Sequence, residues 1–485
     1  MLRSRVVALI VVTASAALAA PSYGAGPFHN FHPRGRAQHR HGVPAFFQVR
    51  GPFGTIGAPG LGDPFFPLAG NGGYDVGHYS LQLAYDPGTK VLDGSATITA
   101  TAKQNLTRFD LDLRGFAIGS LRVDGRTAAF GRNGQEVQIT PASALRSGHQ
   151  FTATVRYSGT PEVVTDPDGS IEGWVPTSDG AFVVGEPQGS PSWFPSNDNP
   201  RDKATYDISV TVPAGLTAVS NGTLVGQSTR NGRTTFAWRE NFPMATYLAT
   251  ATLGKFDVTK GKINGIPSYV AVDPSQEAAA APALAQFPEI VKFLSSVYGP
   301  YPFDTVGAIV DDAPEVGYAL ESQTKPNFNS APDDFTLAHE ISHQWVGDAV
   351  TLTVWPDIWL HEGFATYSEW LWADHTGQFT PQGAFDFYYS LPATDPVWSP
   401  PPASPGDPAN LFGNPVYVRG AMTLQVLRNT VGDAAFFRIL RRWVAQNRYG
   451  NVTTAQFIAL AQEESRMNLG ALFQRWLYQD GKPAI

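Results

Sequence analysis

The chain has 485 residues, of which 42% are apolar and 16% are charged, and its formal net charge is −8. This length and apolar content can form a large hydrophobic core and two or three domains. The low and negative charge argues against a nucleic-acid partner, which requires clustered Lys and Arg, and favours a small or peptide substrate. The chain contains no cysteine, so disulfides, cysteine nucleophiles and Cys-ligated zinc are excluded.

The first residues have the pattern of a secretory signal peptide. A basic start, Met1-Leu-Arg-Ser-Arg5, precedes an apolar stretch from Val6 to Ala16 and then the small-residue site Ala17-Leu-Ala19. The apolar stretch is shorter than the ~18 residues that a membrane span needs, and no later segment approaches that length. We therefore predict a signal peptide over residues 1–25 and a secreted, extracellular protein without a membrane anchor. An uncleaved signal anchor is the alternative.

Residues 26–68 are rich in Gly, Pro, Arg and His and have no sustained periodicity. This composition predicts a disordered linker. Its histidines at positions 29, 32, 39 and 41 have no fixed spacing for a metal site, which favours a solvated tail over a zinc-binding segment.

Residues 69–257 contain short alternating runs separated by turn residues, such as Ala96–Ala102 and Tyr206–Val212. Alternation with period two predicts β-strands that bury one face, and hence an antiparallel β domain. The pairs Asn221-Gly222 and Asn231-Gly232 fall between such runs. Because Asn and Gly accept positive φ angles, both pairs predict tight turns between strands.

Residues 258–485 have mainly helical periodicity, most clearly over 282–297 and 420–428. The Pro-rich stretch 399–408 predicts a surface loop inside this region, because helical patterning resumes soon after it. The sequence therefore predicts an α+β protein with an N-terminal β domain and a mainly helical second domain.

A candidate metal site lies in the run 335–345, which contains neither Gly nor Pro and so predicts a helix. Within it, His339-Glu-Ile-Ser-His343 places two imidazoles one turn apart on the same face, where both can bind one metal ion. Glu340 lies a fraction of a turn away, where it can act as general base on the metal-bound water. This division of roles is what peptide hydrolysis requires.

A catalytic zinc site needs a third protein ligand and one open position. Glu362 follows His343 after 18 intervening residues, 344–361, enough for one helix to end and a second to begin near Trp359. A His, His, Glu set is a known catalytic zinc arrangement. We therefore predict one zinc ion per chain, bound by His339, His343 and Glu362.

Taken together, the motifs resemble the aminopeptidase N family of gluzincin zinc metallopeptidases, to which leukotriene-A hydrolase also belongs. The resemblance runs from about Gly70 to the last residue. The motifs that carry it are Gly73-Tyr-Asp-Val76, Tyr298-Gly-Pro-Tyr-Pro-Phe303, His339-Glu-Ile-Ser-His343, Trp359-Leu-His-Glu-Gly-Phe-Ala365 and Val416-Tyr-Val-Arg-Gly-Ala421. The resemblance implies that the second domain is thermolysin-like and that the active site lies in the cleft between the two domains.

The resemblance also implies roles for three further residues. Tyr417 matches the tyrosine that donates a hydrogen bond to the tetrahedral oxyanion. Glu321, in Tyr318-Ala-Leu-Glu-Ser322, matches the glutamate of a Gly-x-Met-Glu-Asn strand that holds the free α-amino group of the substrate. Glu186 resembles a second carboxylate for the same ammonium, and such a pair would make the protein an exopeptidase.

This chain departs from the family pattern in three places. Only the glutamate and the small residue before the Met position of the amine-binding strand are kept, so the resemblance extends to the amine contact of Glu321 and not to the neighbouring backbone contacts with substrate. His361 replaces the usual Asn before the third zinc ligand, and we favour a helix-start residue over a second-shell partner of the metal site. The chain ends at Ile485, where many relatives continue, so the resemblance implies a short form without the C-terminal helical domain.

These observations predict a secreted zinc-dependent aminopeptidase that hydrolyses N-terminal residues from peptide substrates, with zinc-bound water activated by Glu340. Two alternatives remain open: a zinc endopeptidase of the same fold, and a secreted binding protein without catalysis. We expect neither a nucleic-acid partner nor a membrane anchor, and the sequence specifies no oligomeric state.

Overall fold

The computed structural model of the protein describes residues 50–51 and 54–485. The predicted signal peptide and the histidine-containing part of the predicted linker lie outside the described residues. In the part that is described, strands dominate the first half of the chain and helices dominate the second, so the predicted α+β architecture is confirmed.

Among the described residues, the N-terminal part forms three sheets, one of eight strands and two of five. Their strands are β1 (Arg50–Gly51), β2 (Gly54–Ile56), β3 (Tyr74–Asp86), β4 (Val91–Ala102), β5 (Leu106–Asp112), β6 (Ala117–Val123), β7 (Arg126–Thr127), β8 (Ala129–Asn133), β9 (Glu136–Thr140), β10 (Gln150–Gly159), β11 (Val163–Thr165), β12 (Ile171–Pro176), β13 (Ala181–Val184), β14 (Ala204–Pro213), β15 (Thr217–Ser220), β16 (Thr223–Arg230), β17 (Arg233–Met244) and β18 (Ala251–Gly254).

The eight-stranded sheet has the order β16-β17-β14-β3-β4-β10-β6-β7. In β14 every second residue is buried, as the alternating sequence pattern predicts for a strand with one face on the core. Most neighbours are antiparallel, but β14 pairs in parallel with β3, which precedes it by more than one hundred residues of chain. That pairing joins strands that are distant in sequence into one sheet.

The two Asn-Gly pairs have different roles. Asn231 and Gly232 both have positive φ angles, 51° and 72°, and they join β16 to β17 as a two-residue hairpin turn. Asn221-Gly222 also joins consecutive strands, β15 and β16, but these belong to different sheets. The Asn221 side chain is buried, where it donates to the carbonyls of Leu248 and Gln323.

Residues 54–68 differ from the linker expected there. Strand β2 pairs in parallel with β5, and Asp63 and Phe66 are buried. The ring of Phe66 lies edge-on to Trp355 of the second domain, with centroids 6.2 Å apart. The segment is thus packed against both domains. Its sequence shows no periodicity because it contains no regular element longer than three residues.

The C-terminal part begins with a four-stranded sheet, β19-β20-β21-β22, that the helical patterning did not predict. The elements of this part are β19 (Asp257–Ile263), β20 (Ile266–Val272), α1 (Glu277–Tyr298), β21 (Val306–Val310), β22 (Asn327–Phe328), α2 (Asp334–Ser342), β23 (Thr351–Leu352), α3 (Trp359–His375), α4 (Pro381–Tyr389), α5 (Gly420–Val431), α6 (Asp433–Asn447), β24 (Asn451–Val452), α7 (Thr454–Ser465) and α8 (Gly470–Phe473). Helices α1 and α5 confirm the two helical segments predicted from periodicity.

Helices α2 and α3 provide the frame of the predicted metal site. Asp333 caps α2 by accepting a hydrogen bond from the backbone N–H of Thr336 at 2.7 Å. The helix ends at Ser342, earlier than the predicted 345, and His343 is its C-cap. After a short turn and the strand β23, α3 begins at Trp359 as predicted. Among the described residues, no helix combines the length and the apolar character that a membrane span requires.

Candidate zinc active site

The three predicted zinc ligands meet at one point. The rings of His339 and His343 lie one turn apart with centroids separated by 4.9 Å. One oxygen of Glu362, Oε2, is 3.1 Å from Nε2 of His339 and 3.5 Å from Nε2 of His343. The triad is buried, and its donor atoms all lie within 4.8 Å of one another. Helix α3 therefore brings the carboxylate to the face of α2 that carries both imidazoles.

The outer nitrogen of each imidazole is held by a group that can only accept a hydrogen bond. His339 donates Nδ1–H to Oε1 of Glu369 at 2.6 Å, and His343 donates Nδ1–H to the backbone carbonyl of Val346 at 3.1 Å. Each Nε2 therefore presents its lone pair to the shared centre. This tautomer is the one that zinc ligation needs, so the residues fit the metal.

Sequence analysis did not predict the role of Glu369. It lies seven residues after Glu362, two turns further along α3, and hence on the same face of the helix. That spacing was the available signal, but a partly exposed glutamate on a helix has many other possible roles.

The charges around the triad favour a cation. Burial raises the pKa of Glu362, but the charge of His343 and the hydrogen bonds of both imidazoles outweigh this and hold the pKa well below its usual range. Burial lowers the pKa of His343, whereas Glu321 and Glu362 raise it, to about 9. A divalent metal ion at the shared centre is stabilised by the negative potential of the same carboxylates.

Glu340 lies on α2 between the two histidine ligands and is buried. It forms a second close group with Glu321 and His343, whose ligand-type atoms are within 4.8 Å of one another. Burial raises the pKa of Glu340 to about 7, with His339 and His343 opposing the shift. A carboxylate of this kind can both accept and return a proton near neutral pH.

Tyr417 lies beside the first histidine ligand. It is in a π-helical turn, Pro415–Arg419, that leads into α5. Its ring is stacked on that of His339, with centroids 6.1 Å apart and an interplanar angle of 22°. Burial and the surrounding carboxylates, Glu362 first among them, raise the pKa of the phenol well above its ordinary value, so the hydroxyl keeps its proton.

Arg419, two residues later, holds this turn in place through its hydrogen bonds. Its guanidinium is buried, and its hydrogen bonds with described residues all go to backbone carbonyl groups, which belong to Trp398, Arg475, Trp476, Gln479 and Gly481. The turn that carries Tyr417 is thereby attached to the last residues of the chain.

The two predicted amine-binding carboxylates are close together on the other side of the site. Glu186 follows β13 and Glu321 follows the bridge between Leu320 and Asn327; both side chains are buried. Together with His361 they form a third close group, again within 4.8 Å. Burial and the charge of Glu321 raise the pKa of Glu186, and burial raises that of Glu321.

Two neighbours of these carboxylates were missed or placed differently by sequence analysis. Gln344 donates to the backbone carbonyl of Glu321 at 3.0 Å and accepts from the N–H of Thr324 at 2.7 Å, so the residue after the C-cap of α2 holds the segment that carries Glu321. His361 lies in the first turn of α3, as expected of a helix-start residue, but it is buried against the site. Its Nε2 accepts a hydrogen bond from Leu352 N–H at 3.0 Å.

Comparisons with known proteins identify the family of this chain. Models of the peptidase M1 N-terminal domain and of the peptidase family M1 domain match residues 76–248 and 321–476. The crystal structure of an M1 zinc metallopeptidase from Deinococcus radiodurans superposes with a TM-score of 0.81 and is 30% identical, covering 88% of this chain and 98% of that one. This chain belongs to the M1 family of zinc metallopeptidases. In an M1 protein, the His, His, Glu triad holds one zinc ion, which is the cofactor of this chain.

Two further comparisons bear on M1 substrates. A variant of the Deinococcus radiodurans metallopeptidase, with the same TM-score and identity, was crystallised bound to Tyr-Ser-Ala substrate, and 99% of that chain is covered. Glutamyl aminopeptidase of Bos taurus is 28% identical over 329 residues, which are 62% of this chain and 34% of the relative. The match thus spans about a third of the length of that M1 relative.

Proposed function

We propose that the chain is a zinc aminopeptidase that removes N-terminal residues from peptides. The observation that carries the proposal is the position of Glu321. Its carboxylate belongs both to the close group around Glu340 and His343 and to the close group with Glu186. The carboxylate pair therefore lies directly beside the zinc triad.

That arrangement selects a free N-terminus. A substrate ammonium makes charge-assisted hydrogen bonds with Glu321 and Glu186, which compensate for the burial of two neighbouring carboxylates. An internal peptide segment has no cation at this position and leaves both groups uncompensated. With the ammonium held there, the first peptide carbonyl reaches the zinc triad, and cleavage releases one residue.

The chemistry follows from the groups around the scissile bond. When bound, zinc polarises the carbonyl oxygen and lowers the pKa of water in the site. Glu340 accepts a proton from the attacking water and returns it to the leaving amine, for which its raised pKa is suited. Tyr417 donates a hydrogen bond from its hydroxyl to the carbonyl oxygen as negative charge develops there, and it keeps its proton. The related structure with a bound tripeptide and the aminopeptidase relatives support this reaction.

The test is hydrolysis of amino-acid arylamides with free and with acetylated α-amino groups, with zinc content measured in parallel. We expect the wild-type protein to cleave only the free-amine substrates and Glu321→Gln to lose most of this activity while retaining zinc. Glu340→Gln should retain zinc and lose activity on every substrate. Glu315→Gln is the matched control, because Glu315 is an exposed carboxylate six residues before Glu321.

Other outcomes distinguish the alternatives. Equal turnover of acetylated substrates or of blocked peptides would identify an endopeptidase. Zinc-loaded wild-type protein that cleaves none of the substrates would contradict an enzymatic function and favour a binding protein.

We also propose that the protein is exported, on the basis of the sequence of residues 1–25. The test is expression of the full chain in a secreting host and mass spectrometry of the N-terminus of the extracellular product. Removal of the basic and apolar segment is the expected result. An intact N-terminus retained in the membrane fraction would support the signal-anchor alternative.

A further inference from the structure

The hydrogen bond from Leu352 determines the tautomer of His361. A backbone amide can only donate, so Nε2 of His361 must be the acceptor and carries no proton. The proton of the neutral ring is therefore on Nδ1. Leu352 belongs to strand β23, which pairs with β24. The position of the amide that sets the tautomer is therefore fixed by the pairing of its strand.

The other side of the ring is left with a donor and no acceptor. Nδ1 of His361 is buried and has no hydrogen-bond partner among the residues that the structure describes. One oxygen of Glu186 and one of Glu321, in each case Oε1, are likewise buried without a partner. These three side chains form the close group within 4.8 Å. Because Leu352 occupies Nε2, Nδ1 is the nitrogen that remains for the carboxylates.

We propose that His361 is a positioning residue for N-terminal amine recognition. Its Nδ1–H donates a hydrogen bond, directly or through one water, to the inner oxygens of the carboxylate pair, which are Oε1 of Glu186 and Oε1 of Glu321. This inference rests on the proposed aminopeptidase function. The donor orients the pair so that its outer oxygens face the substrate ammonium. Two buried carboxylates this close to each other need such a donor, since an unsatisfied buried oxygen costs free energy.

A neutral donor suits this position better than a cation would. Lys or Arg at position 361 would also satisfy the carboxylates, but its charge would compete with the substrate ammonium for them. The protonated Nδ1 also argues against a second metal ion bound by His361, Glu186 and Glu321, because a ring nitrogen that carries a proton has no lone pair for a ligand bond.

Two substitutions of His361 distinguish the contact made by Nδ1 from the contact made by Nε2. The amide of Asn can place an N–H donor near the position of Nδ1 but does not reach Leu352. The longer Gln can place its carbonyl oxygen near the position of Nε2 and accept from Leu352, while leaving the carboxylates without the Nδ1 donor. His361→Asn therefore keeps the contact that we propose for recognition, and His361→Gln keeps the contact with β23.

The readout is the ratio of inhibition constants for leucine hydroxamate and for isocaproic hydroxamate, which has the same side chain and zinc-binding group but no amine. This ratio isolates amine recognition from zinc binding. We expect His361→Gln to reduce the preference for the amine about tenfold and to raise KM for free-amine arylamides more than it lowers kcat. His361→Asn should stay within about threefold of wild type in that ratio but lose thermal stability, because Leu352 N–H is left without its acceptor.

The opposite pattern would overturn the inference. If His361→Gln keeps the wild-type ratio, or if only His361→Asn loses it, His361 acts on the fold alone. A second zinc ion per chain that disappears in both variants would make Nδ1 a ligand and also contradict the proposal. Glu321→Gln distinguishes a failure of the proposed function from a failure of the role of His361. If the wild type has no preference for the amine, the proposed function is contradicted. If Glu321→Gln removes the preference but His361→Gln leaves it intact, only the role of His361 is contradicted.

Discussion

At the scale of single residues, the contact between Glu369 and His339 should determine how tightly zinc is held. The carboxylate fixes the ring orientation and increases the basicity of the ligating nitrogen. We expect Glu369→Ala to weaken zinc affinity by about 10- to 100-fold and Glu369→Gln to weaken it less, because Gln still accepts from Nδ1. Competition with a chromogenic chelator measures this. Asp374→Ala, an exposed carboxylate on the same helix, should have no effect; an equal loss in that variant would contradict the assignment.

A second prediction at this scale concerns a carboxyl pair in the N-terminal part. Glu136 in β9 lies opposite Asp112 in β5, and both side chains are buried. Burial and the charge of Asp112 raise the pKa of Glu136 to about 9. Between the unfolded pKa near 4.5 and this value, the folded state binds more protons than the unfolded state, so the free energy of unfolding falls as pH rises.

Glu136→Gln removes this dependence and offers Asp112 an amide N–H donor in place of the carboxyl O–H. We expect the variant and the wild type to have similar stability at pH 5, and the variant to be more stable at pH 9 by about 2 kcal/mol or more. Urea titrations at the two pH values measure this, with Glu315→Gln as the exposed control. A difference between variant and wild type that is the same at both pH values would show that Glu136 does not titrate as described.

At the scale of elements, two glycines bring the helices that carry Glu362 and Tyr417 together. A Cβ atom added at Gly363 would lie 2.9 Å from the Cα atom of Gly420, and one added at Gly420 would lie 2.9 Å from the Cα atom of Gly363. Because the obstructing atoms are backbone, α3 and α5 can be this close only with glycine at the contact. The spacing of the third zinc ligand and the tyrosine therefore depends on this crossing.

Gly363→Ala should separate the two helices. We expect a loss of about 1–3 kcal/mol in stability, together with a lower kcat, because Tyr417 moves away from the scissile carbonyl. Thermal unfolding and arylamide kinetics measure the two effects. Gly383→Ala on the exposed face of α4 is the control and should leave kcat unchanged. Normal kcat in Gly363→Ala would show that the close crossing does not position the tyrosine.

The elements also show what periodicity can predict. The helical period of α1 and the i, i+4 spacing of His339 and His343 on α2 are local properties of the sequence. Both helices, and with them the zinc triad, were therefore predictable from neighbouring residues. Strand β21 is buried throughout, and its short apolar run has no alternation that would reveal a strand inside a helical region. The contact of His361 with Leu352 depends on the path of the turn between α2 and α3, which no spacing in the sequence defines.

At the scale of the whole molecule, the segment 54–68 links the two domains near the zinc site. Oδ2 of Asp63 accepts from Trp355 N–H at 2.8 Å, while Oδ1 accepts from Phe65 and Phe66 N–H at 2.8 and 3.0 Å. Trp355 begins the short helical turn that precedes α3. A carboxylate from the N-terminal part thus fixes the start of the helix that carries Glu362. This relation joins residues about 290 positions apart and could not be predicted from composition.

Asp63→Ala should leave three amide groups without their acceptor. We expect the free energy of unfolding to fall by about 3 kcal/mol, and zinc to be lost at a lower chelator concentration. Asp168→Ala is the control, because Asp168 accepts a similar bond from Ser170 N–H in an exposed turn and should cost less than about 1 kcal/mol. Equal effects of the two substitutions would contradict a special role for the segment.

The buried guanidinium of Arg419 has a consequence for how the chain can vary in evolution. Its partners near the C-terminus are carbonyl groups of the main chain, which are present whatever side chain a position carries. Residues such as Arg475 and Gln479 can therefore be exchanged without losing this attachment. Arg419 itself cannot be exchanged, since no other side chain offers five donors in one plane. A saturation library at the exposed positions 475 and 479 should accordingly tolerate most substitutions, whereas position 419 should accept only arginine.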